Sequence, residues 1–173
     1  MKKSMLALLL LVFTADFAVQ FPARVFAGPA EDVQGTMQLL KSKAAMLGAP
    51  SIKGEEAVAG KTVPALYFGE TKMNNNFVLV DEVQKEKGGT ATIFVKSGDD
   101  FVRVATNVKK DDGSRAIGTV LDPKGKAIAA IAKGESYFGE ADILGKPYTT
   151  GYEPIRNASN TVIGVYYVGY LKN

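Results

Sequence analysis

The segment Thr161-Val-Ile-Gly-Val-Tyr-Tyr-Val-Gly-Tyr170 constrains the fold of this chain more than any other part of it. Successive side chains of a strand point to opposite faces of its sheet. Both alternate sets of this segment are largely apolar: Ile163, Val165 and Tyr167 form one set, and Val162, Tyr166 and Val168 form the other. A strand that is apolar on both faces belongs in the middle of a covered sheet. We therefore predict a central final strand, with helices over one face of the sheet and loops over the other.

The sequence before this segment predicts four more strands in two groups. They cover residues 90–96, 101–108, 136–143 and 146–156, and turn residues at 97–100 and 157–160 join neighbours into hairpins. Between the groups we predict a helix over residues 124–133, with Asp122 as its N-cap and Pro123 at its first position. Two strands, a helical crossing and three strands are the element order of a PAS-like α+β domain.

The N-terminal half predicts two further helices. Residues 31–47 carry apolar side chains at spacings of three and four, and Gly48 and Pro50 end this pattern. Residues 77–87 follow the N-cap candidates at 74–76 and end at Gly88. The stretch between the first helix and Lys61 bears glycine and charges, so we predict a loop there, followed by a short apolar segment over residues 62–68.

The first 27 residues have the layout of a secretory signal peptide. Lys2 and Lys3 form a positive start, an uncharged apolar run follows, and Val25 and Ala27 suit a signal peptidase. The run is shorter than the roughly 20 residues that a membrane span needs. We predict cleavage after Ala27 and a periplasmic or secreted product; an uncut membrane anchor is the alternative.

Composition excludes several function classes. The chain has no histidine and no cysteine, which removes a Ser-His-Asp triad, a histidine base, disulfides and the usual zinc and haem ligands. Without residues 1–27 the net charge is +1, from 18 basic and 17 acidic residues, so no cationic field favours nucleic acid. No second run long enough to cross a membrane follows. We predict that the protein is not an enzyme and has no catalytic residues, no cofactor and no metal site.

Many short motifs in the right order resemble the single Cache (sCache) sensor domain, specifically its Cache 3/Cache 2 fusion type. The matching stretches lie between about residues 61 and 170, and they are Leu66-Tyr67-Phe68-Gly69, Gly88-Gly89-Thr90-Ala91-Thr92-Ile93-Phe94, Arg103-Val104-Ala105-Thr106-Asn107, Asp112-Gly113-Ser114-Arg115-Ala116-Ile117-Gly118-Thr119, Gly134-Glu135-Ser136-Tyr137-Phe138-Gly139, Ile143-Leu144-Gly145-Lys146-Pro147-Tyr148, Tyr152-Glu153-Pro154-Ile155 and Ile163-Gly164-Val165-Tyr166-Tyr167-Val168-Gly169.

This resemblance implies an extracytoplasmic sensor with a five-stranded antiparallel sheet of order 2-1-5-4-3. Together with the patterns described above, it divides the chain into a signal peptide (1–27), an N-terminal helix and linker (28–60) and a PAS-like Cache domain (61–173). Such domains usually sit in chemoreceptors, histidine kinases or cyclic-dinucleotide enzymes, between two membrane spans. Because this chain has a short first helix and stops at Asn173, we expect a free exported Cache domain.

Arg103 is the first candidate for a binding residue. It lies in an otherwise apolar strand, and alternation places it on the face of Phe101 and Ala105. A guanidinium on a partly buried face needs a carboxylate partner, and its planar fork suits a bidentate one. That carboxylate belongs to a ligand or to an internal Asp or Glu; alternatively, Arg103 lies at a sheet edge and reaches water.

Aromatic residues of neighbouring strands complete the predicted pocket. Tyr148, Thr150 and Tyr152 share one face of the fourth strand, and Tyr137 of the third strand neighbours them if the register permits. Phenols give a pocket an apolar wall with a polar tip, although a plain aromatic core has the same pattern. Arg115, in the loop after the second strand, is a candidate to close over the ligand.

We therefore expect a small-molecule-binding module for signal transduction or chemotaxis-type sensing. Arg103 and the hydroxyl donors favour a small carboxylate such as an organic acid, and a partner would read the bound state. The alternative is a module without a small ligand, which forms a homodimer through its first helix or docks on a membrane receptor.

Overall fold

The computed structural model describes residues 32–172, so the predicted signal peptide lies outside the described residues. Within residues 32–172, three helices and eight strands form in the following order: α1 (Val33–Leu47), β1 (Pro50–Val58), β2 (Lys61–Phe68), β3 (Thr71–Lys72), α2 (Val78–Lys87), β4 (Thr90–Ser97), β5 (Asp100–Thr106), α3 (Lys126–Ala132), β6 (Tyr137–Ile143), β7 (Lys146–Arg156) and β8 (Val162–Leu171).

Five of these strands form one antiparallel sheet with β8 at its centre. The order is β5-β4-β8-β7-β6, which is 2-1-5-4-3 when the five strands are counted along the chain. This confirms the predicted central strand and the predicted α+β, PAS-like architecture. The two hairpins, β4-β5 and β7-β8, also form where turn residues predict them.

Helices α1 and α2 cover one face of this sheet, which we call the closed face. The apolar side of α1, including Met37, Leu40 and Ala44, is buried in a core shared with β4 and β8. In α2, Asn76 Oδ1 accepts a 3.2 Å hydrogen bond from the first backbone amide, and Gly88 ends the helix in the left-handed conformation. The sheet thus covers the apolar side of α1 that the dimer hypothesis required to be exposed.

A second sheet, of order β1-β2-β3, adds to the closed face. Part of it corrects a prediction: the stretch before Lys61 is not a loop but strand β1, which pairs with β2 from Pro50↔Phe68 to Val58↔Lys61. Five of its nine residues are exposed, and Lys53, Glu55 and Glu56 are charged. A strand that is held by main-chain pairing rather than by a buried side has no apolar alternation for the sequence to reveal.

The opposite face, which we call the open face, is covered by α3 and by the long segment between β5 and α3. Helix α3 is shorter than predicted, and its N-cap is Gly125 instead of Asp122. The Asp122 carboxylate accepts a 2.9 Å hydrogen bond from the amide of Lys124, so Asp122 closes a turn before the helix. Asp122 is a turn residue, and this turn takes the place of the predicted first helical turn.

Two irregularities in strand pairing change which side chains share a face. In β5 the pairing shifts so that Phe94 opposes Arg103 and Ile93 opposes Ala105, which leaves Val104 unpaired. Arg103 therefore shares the open face with Phe101, as predicted, whereas Ala105 joins the core of the closed face. A similar shift between Ile155 and Arg156 of β7 reverses the predicted faces of Val162 and Ile163 in β8. A bulge of one residue breaks the alternation from which both predictions came.

Candidate ligand-binding site

A cavity of about 450 Å³ opens on the open face, between β5, β6, β7 and the start of α3. This volume falls within the range of small-molecule sites. The lining combines apolar, aromatic and charged groups, and its residues are Arg103, Val120, Leu121, Asp122, Lys124, Gly125, Lys126, Ala127, Tyr137, Glu140, Ala141, Asp142, Ile143, Leu144 and Tyr152.

Arg103 reaches this cavity from a buried position, with only 4% of the residue exposed. Its Nη1 donates a 2.6 Å hydrogen bond to Thr119 Oγ1, and its guanidinium lies over the ring of Phe94, 5.0 Å from the ring centre. Its buried Nε has no hydrogen-bond partner. None of the ion pairs formed within residues 32–172 includes Arg103. Neither an internal carboxylate nor bulk water satisfies this cation, so two of the three sequence-based alternatives lose their support.

Burial lowers the pKa of the Arg103 guanidinium below its ordinary value. The cause is the loss of solvent around the cation, because burial disfavours the charged form. A buried charge without a counter-charge raises the free energy of the folded state. An anion in the cavity would offset that cost.

Thr119 orients Arg103, and sequence reasoning did not single it out. Residues 118–121 run along the outer edge of β5, where the amide of Arg103 donates to Thr119 O and the amide of Gly118 donates to Arg103 O, both at 2.9 Å. Thr119 Oγ1 in turn donates a 2.7 Å hydrogen bond to Ala116 O. The sequence offers no periodic signal for Thr119, because this irregular segment is positioned by pairing with β5.

Three tyrosines form the aromatic side of the site. The ring centres of Tyr137 and Tyr152 are 6.2 Å apart, and those of Tyr152 and Tyr167 are 5.0 Å apart. Burial raises the pKa values of Tyr152 and Tyr167 above the ordinary value of 10, so both phenols stay neutral. The structure thus brings Tyr137 and Tyr152 to the same cavity as Arg103, as the sequence predicts, and it adds Tyr167 behind them.

Tyr148 and Thr150 lie on the same strand as Tyr152 but outside the cavity lining. Tyr148 packs against the core of the open face. Thr150 is fully buried and donates a 2.7 Å hydrogen bond to Gly139 O in the neighbouring strand. Their predicted direct contact with a ligand therefore has no support in this arrangement, which fits the aromatic-core alternative.

Arg115 does not line the cavity either. Its guanidinium forms two hydrogen bonds with Asp81 of α2, at 2.7 and 2.8 Å, and stacks on Phe77, 4.4 Å from the ring centre. Asp81, which lies 34 positions before Arg115 in the sequence, therefore binds the guanidinium that was expected to close over a ligand. A lid role for Arg115 has no support here.

Charged residues surround the mouth of the cavity, and its three carboxylates are already engaged. Asp122 accepts from the amide of Lys124, Asp142 accepts a 2.7 Å hydrogen bond from the amide of Gly145, and Glu140 pairs with Lys172. The hydrogen bond from Lys172 lowers the pKa of Glu140. These acidic residues were not predicted as site residues: the sequence predicts Asp122 as a helix cap, and Glu140 and Asp142 are alternate residues of strand β6 that no motif marks.

This fold defines the chain as a PAS-like α+β domain with a cavity on its open face. The Cache 3/Cache 2 fusion domain model matches residues 30–173, so the chain belongs to this family of extracellular sensor domains generally involved in signalling. None of the curated proteins compared with the sequence matches it. Within the described residues, no helix is both long enough and apolar enough to cross a bilayer.

Proposed function

We propose that this protein binds a small carboxylate in the cavity of the open face, with Arg103 as the residue that recognises the anion. Arg103 lines a cavity of suitable size and has no counter-charge among the described residues, and its buried Nε lacks a hydrogen-bond partner; this combination carries the proposal. A carboxylate is planar and accepts two parallel hydrogen bonds, which matches the fork of an arginine. Tyr137 and Tyr152 would enclose the carbon skeleton of the ligand.

The ligand is small and carries an apolar part beside its carboxylate. The cavity combines one deep cationic group with aromatic rings and short aliphatic side chains such as Ala127 and Ala141. Small-molecule sites of this kind use few polar groups to fix orientation and apolar walls for contact. Small organic acids satisfy both requirements.

The bound state would then be read by a separate protein. The signal-peptide layout of residues 1–27 supports export to the periplasm or the medium, and the family supplies the sensing role. We therefore propose an exported sensor that passes ligand occupancy to a partner in signal transduction, of which chemotaxis is one form.

Thermal unfolding with a matched set of compounds tests the binding proposal. The purified protein is heated with acetate, propionate, lactate, pyruvate or succinate, and separately with the neutral amides of the same acids. An acid present at 100 times its Kd should stabilise the protein by about 2.7 kcal/mol, which raises Tm by roughly 8 °C in a domain of this size. The amides should leave Tm unchanged, because they cannot supply the charge that Arg103 lacks.

Two arginine variants make this test specific. Arg103→Met should weaken binding of the acid about 30-fold or more, since the loss of one partner of a buried charge pair costs about 2 kcal/mol or more. Arg156→Met is the matched control, because Arg156 bonds the carbonyls of Gly134 and Asn160, away from the cavity. The proposal is wrong if none of the acids raises Tm, or if Arg103→Met responds to them like the wild type.

A further inference from the structure

One short segment joins the proposed anion site to helix α2. Arg115 stands at its start and bonds Asp81 through both terminal nitrogens of the guanidinium. Thr119 stands four residues later and holds Nη1 of Arg103 at 2.6 Å. Thr119, which orients the Arg103 guanidinium, and Arg115, which binds Asp81 of α2, therefore belong to the same segment, residues 115–119.

The segment between these two residues is pinned by its own hydrogen bonds. The amide of Ala116 donates to Val108 O at 3.0 Å, and the amide of Gly118 donates to Arg103 O at 2.9 Å. Thr119 Oγ1 donates back to Ala116 O, next to Arg115 in the chain, at 2.7 Å. These hydrogen bonds leave the backbone between Arg115 and Thr119 little conformational freedom, so a shift of the Arg115 side chain should move the Thr119 hydroxyl.

Arg115 is more tightly constrained than an arginine that forms a single ion pair at the surface. Besides the paired bonds to Asp81, its Nη1 donates a 2.8 Å hydrogen bond to Thr106 O, and its guanidinium stacks on Phe77. A bidentate pair with a stacked ring fixes direction as well as distance. Lysine could keep the charge at this position but could not reproduce that geometry.

From these contacts we propose that Arg115 is a positioning residue for the anion site, and that with Asp81 it couples ligand binding at Arg103 to helix α2. This inference rests on the proposed function, because it assigns how that site is held in its binding geometry. We call the pairing of Arg115 with Asp81 the clamp. When the clamp is broken, residues 115–119 should become more mobile, Thr119 should lose its fixed position, and the Arg103 guanidinium should lose its orientation. By linkage, a bound anion should in turn steady the contact between this segment and α2.

Arginine Nε–H signals in nuclear magnetic resonance test this proposal without any ligand. The chain has four arginines, namely Arg24, Arg103, Arg115 and Arg156, so the spectrum is simple and Arg103→Met assigns the signal of interest. Arg115→Lys, Arg115→Ala and Asp81→Asn should each shift or broaden the Arg103 Nε–H signal. Lys72→Ala is the control, because it breaks the Lys72–Glu56 pair, of comparable exposure, in the three-stranded sheet. It should leave the signal in place.

Affinity provides the second measurement, made with the acid that raises Tm most among the five named above. The three clamp variants should weaken its binding about tenfold, while Lys72→Ala should change it less than twofold. Adding Arg115→Lys to Thr119→Val should weaken binding no further than Thr119→Val alone, because both act through the same hydroxyl.

The Arg103 Nε–H signal and the affinity measurement test the positioning role of Arg115 separately from the proposed anion binding. If no acid binds the wild type, the proposed function fails, and the Arg103 signal still reports whether the clamp positions the guanidinium. The positioning role is overturned if the Arg115→Lys and Asp81→Asn variants leave the Arg103 signal unchanged. It is overturned equally if effects on affinity add fully in the double variant, since a merely structural loss acts independently of Thr119.

Discussion

The two faces of the central sheet differ in packing: one has a filled apolar core, and the other has a cavity with a buried charge. The closed face is covered by α1, α2 and the small sheet, and its core is packed with apolar groups; Phe68 stacks on Tyr166 with ring centres 5.9 Å apart and planes 6° apart. The open face has a smaller core, a cavity, and the buried Arg103 without a counter-charge. One sheet thus separates most of the groups that stabilise the fold from the groups available for binding, and the Arg115–Asp81 pair is the proposed link between the two faces.

The largest expected effect comes from the closed face. Phe68→Ala removes a fully buried ring that contacts Tyr166 across the core, and it should lower the free energy of unfolding by about 4 kcal/mol. Urea unfolding measures this loss. The Arg103 Nε–H signal should be unchanged at low temperature, where the variant remains folded; a shifted signal would show that the two faces are coupled by more than the Arg115–Asp81 pair.

A smaller effect, of opposite sign, is expected from the open face. Arg103→Met replaces a buried cation that lacks a counter-charge by a shorter apolar side chain, so without ligand it should raise the free energy of unfolding by about 1 kcal/mol. Arg156→Met, the control, loses two hydrogen bonds to carbonyls and should lower it by about 1 kcal/mol. Urea unfolding of both variants checks the signs. A clear loss of stability in Arg103→Met would mean that Arg103 supports the fold as the closed face does.

The smallest effect concerns the mouth of the cavity. Lys172 lowers the folded-state pKa of Glu140 below its ordinary value of 4.5, so this pair stabilises the fold above that pH and loses its contribution as pH falls through the lowered pKa. In Glu140→Gln the midpoint of urea unfolding should therefore decrease less between pH 5 and pH 3 than in the wild type. Equal decreases would show that this exposed pair is fully screened.

Most of the large sheet could be predicted from the sequence, because its strands show strong local patterns. The apolar faces of residues 161–170 and the hairpin turns place β4, β5, β7 and β8 correctly. Strand β1 was missed because most of its residues are exposed and three are charged. The bulge at Val104 was missed because pairing, not composition, determines where an extra residue sits.

The candidate site was predictable only where one residue stood out from its surroundings. Arg103 did so, as a charge in an apolar strand, and Tyr137 and Tyr152 followed from alternation across neighbouring strands. Thr119 and the pairing of Arg115 with Asp81 were not predictable, because they depend on contacts between segments that are distant in sequence. Sequence patterns report which face a residue occupies, whereas the fold decides which partner it meets.

The pairing of residues 118–121 with the outer edge of β5 has a further consequence for self-association. A bare sheet edge invites other chains to add strands, and natural proteins cover or charge such edges. Here the chain shields the β5 edge with its own backbone, while the opposite edge strand, β6, carries Glu140 and Asp142. The same backbone bonds that place Thr119 beside Arg103 should therefore also guard the protein against aggregation.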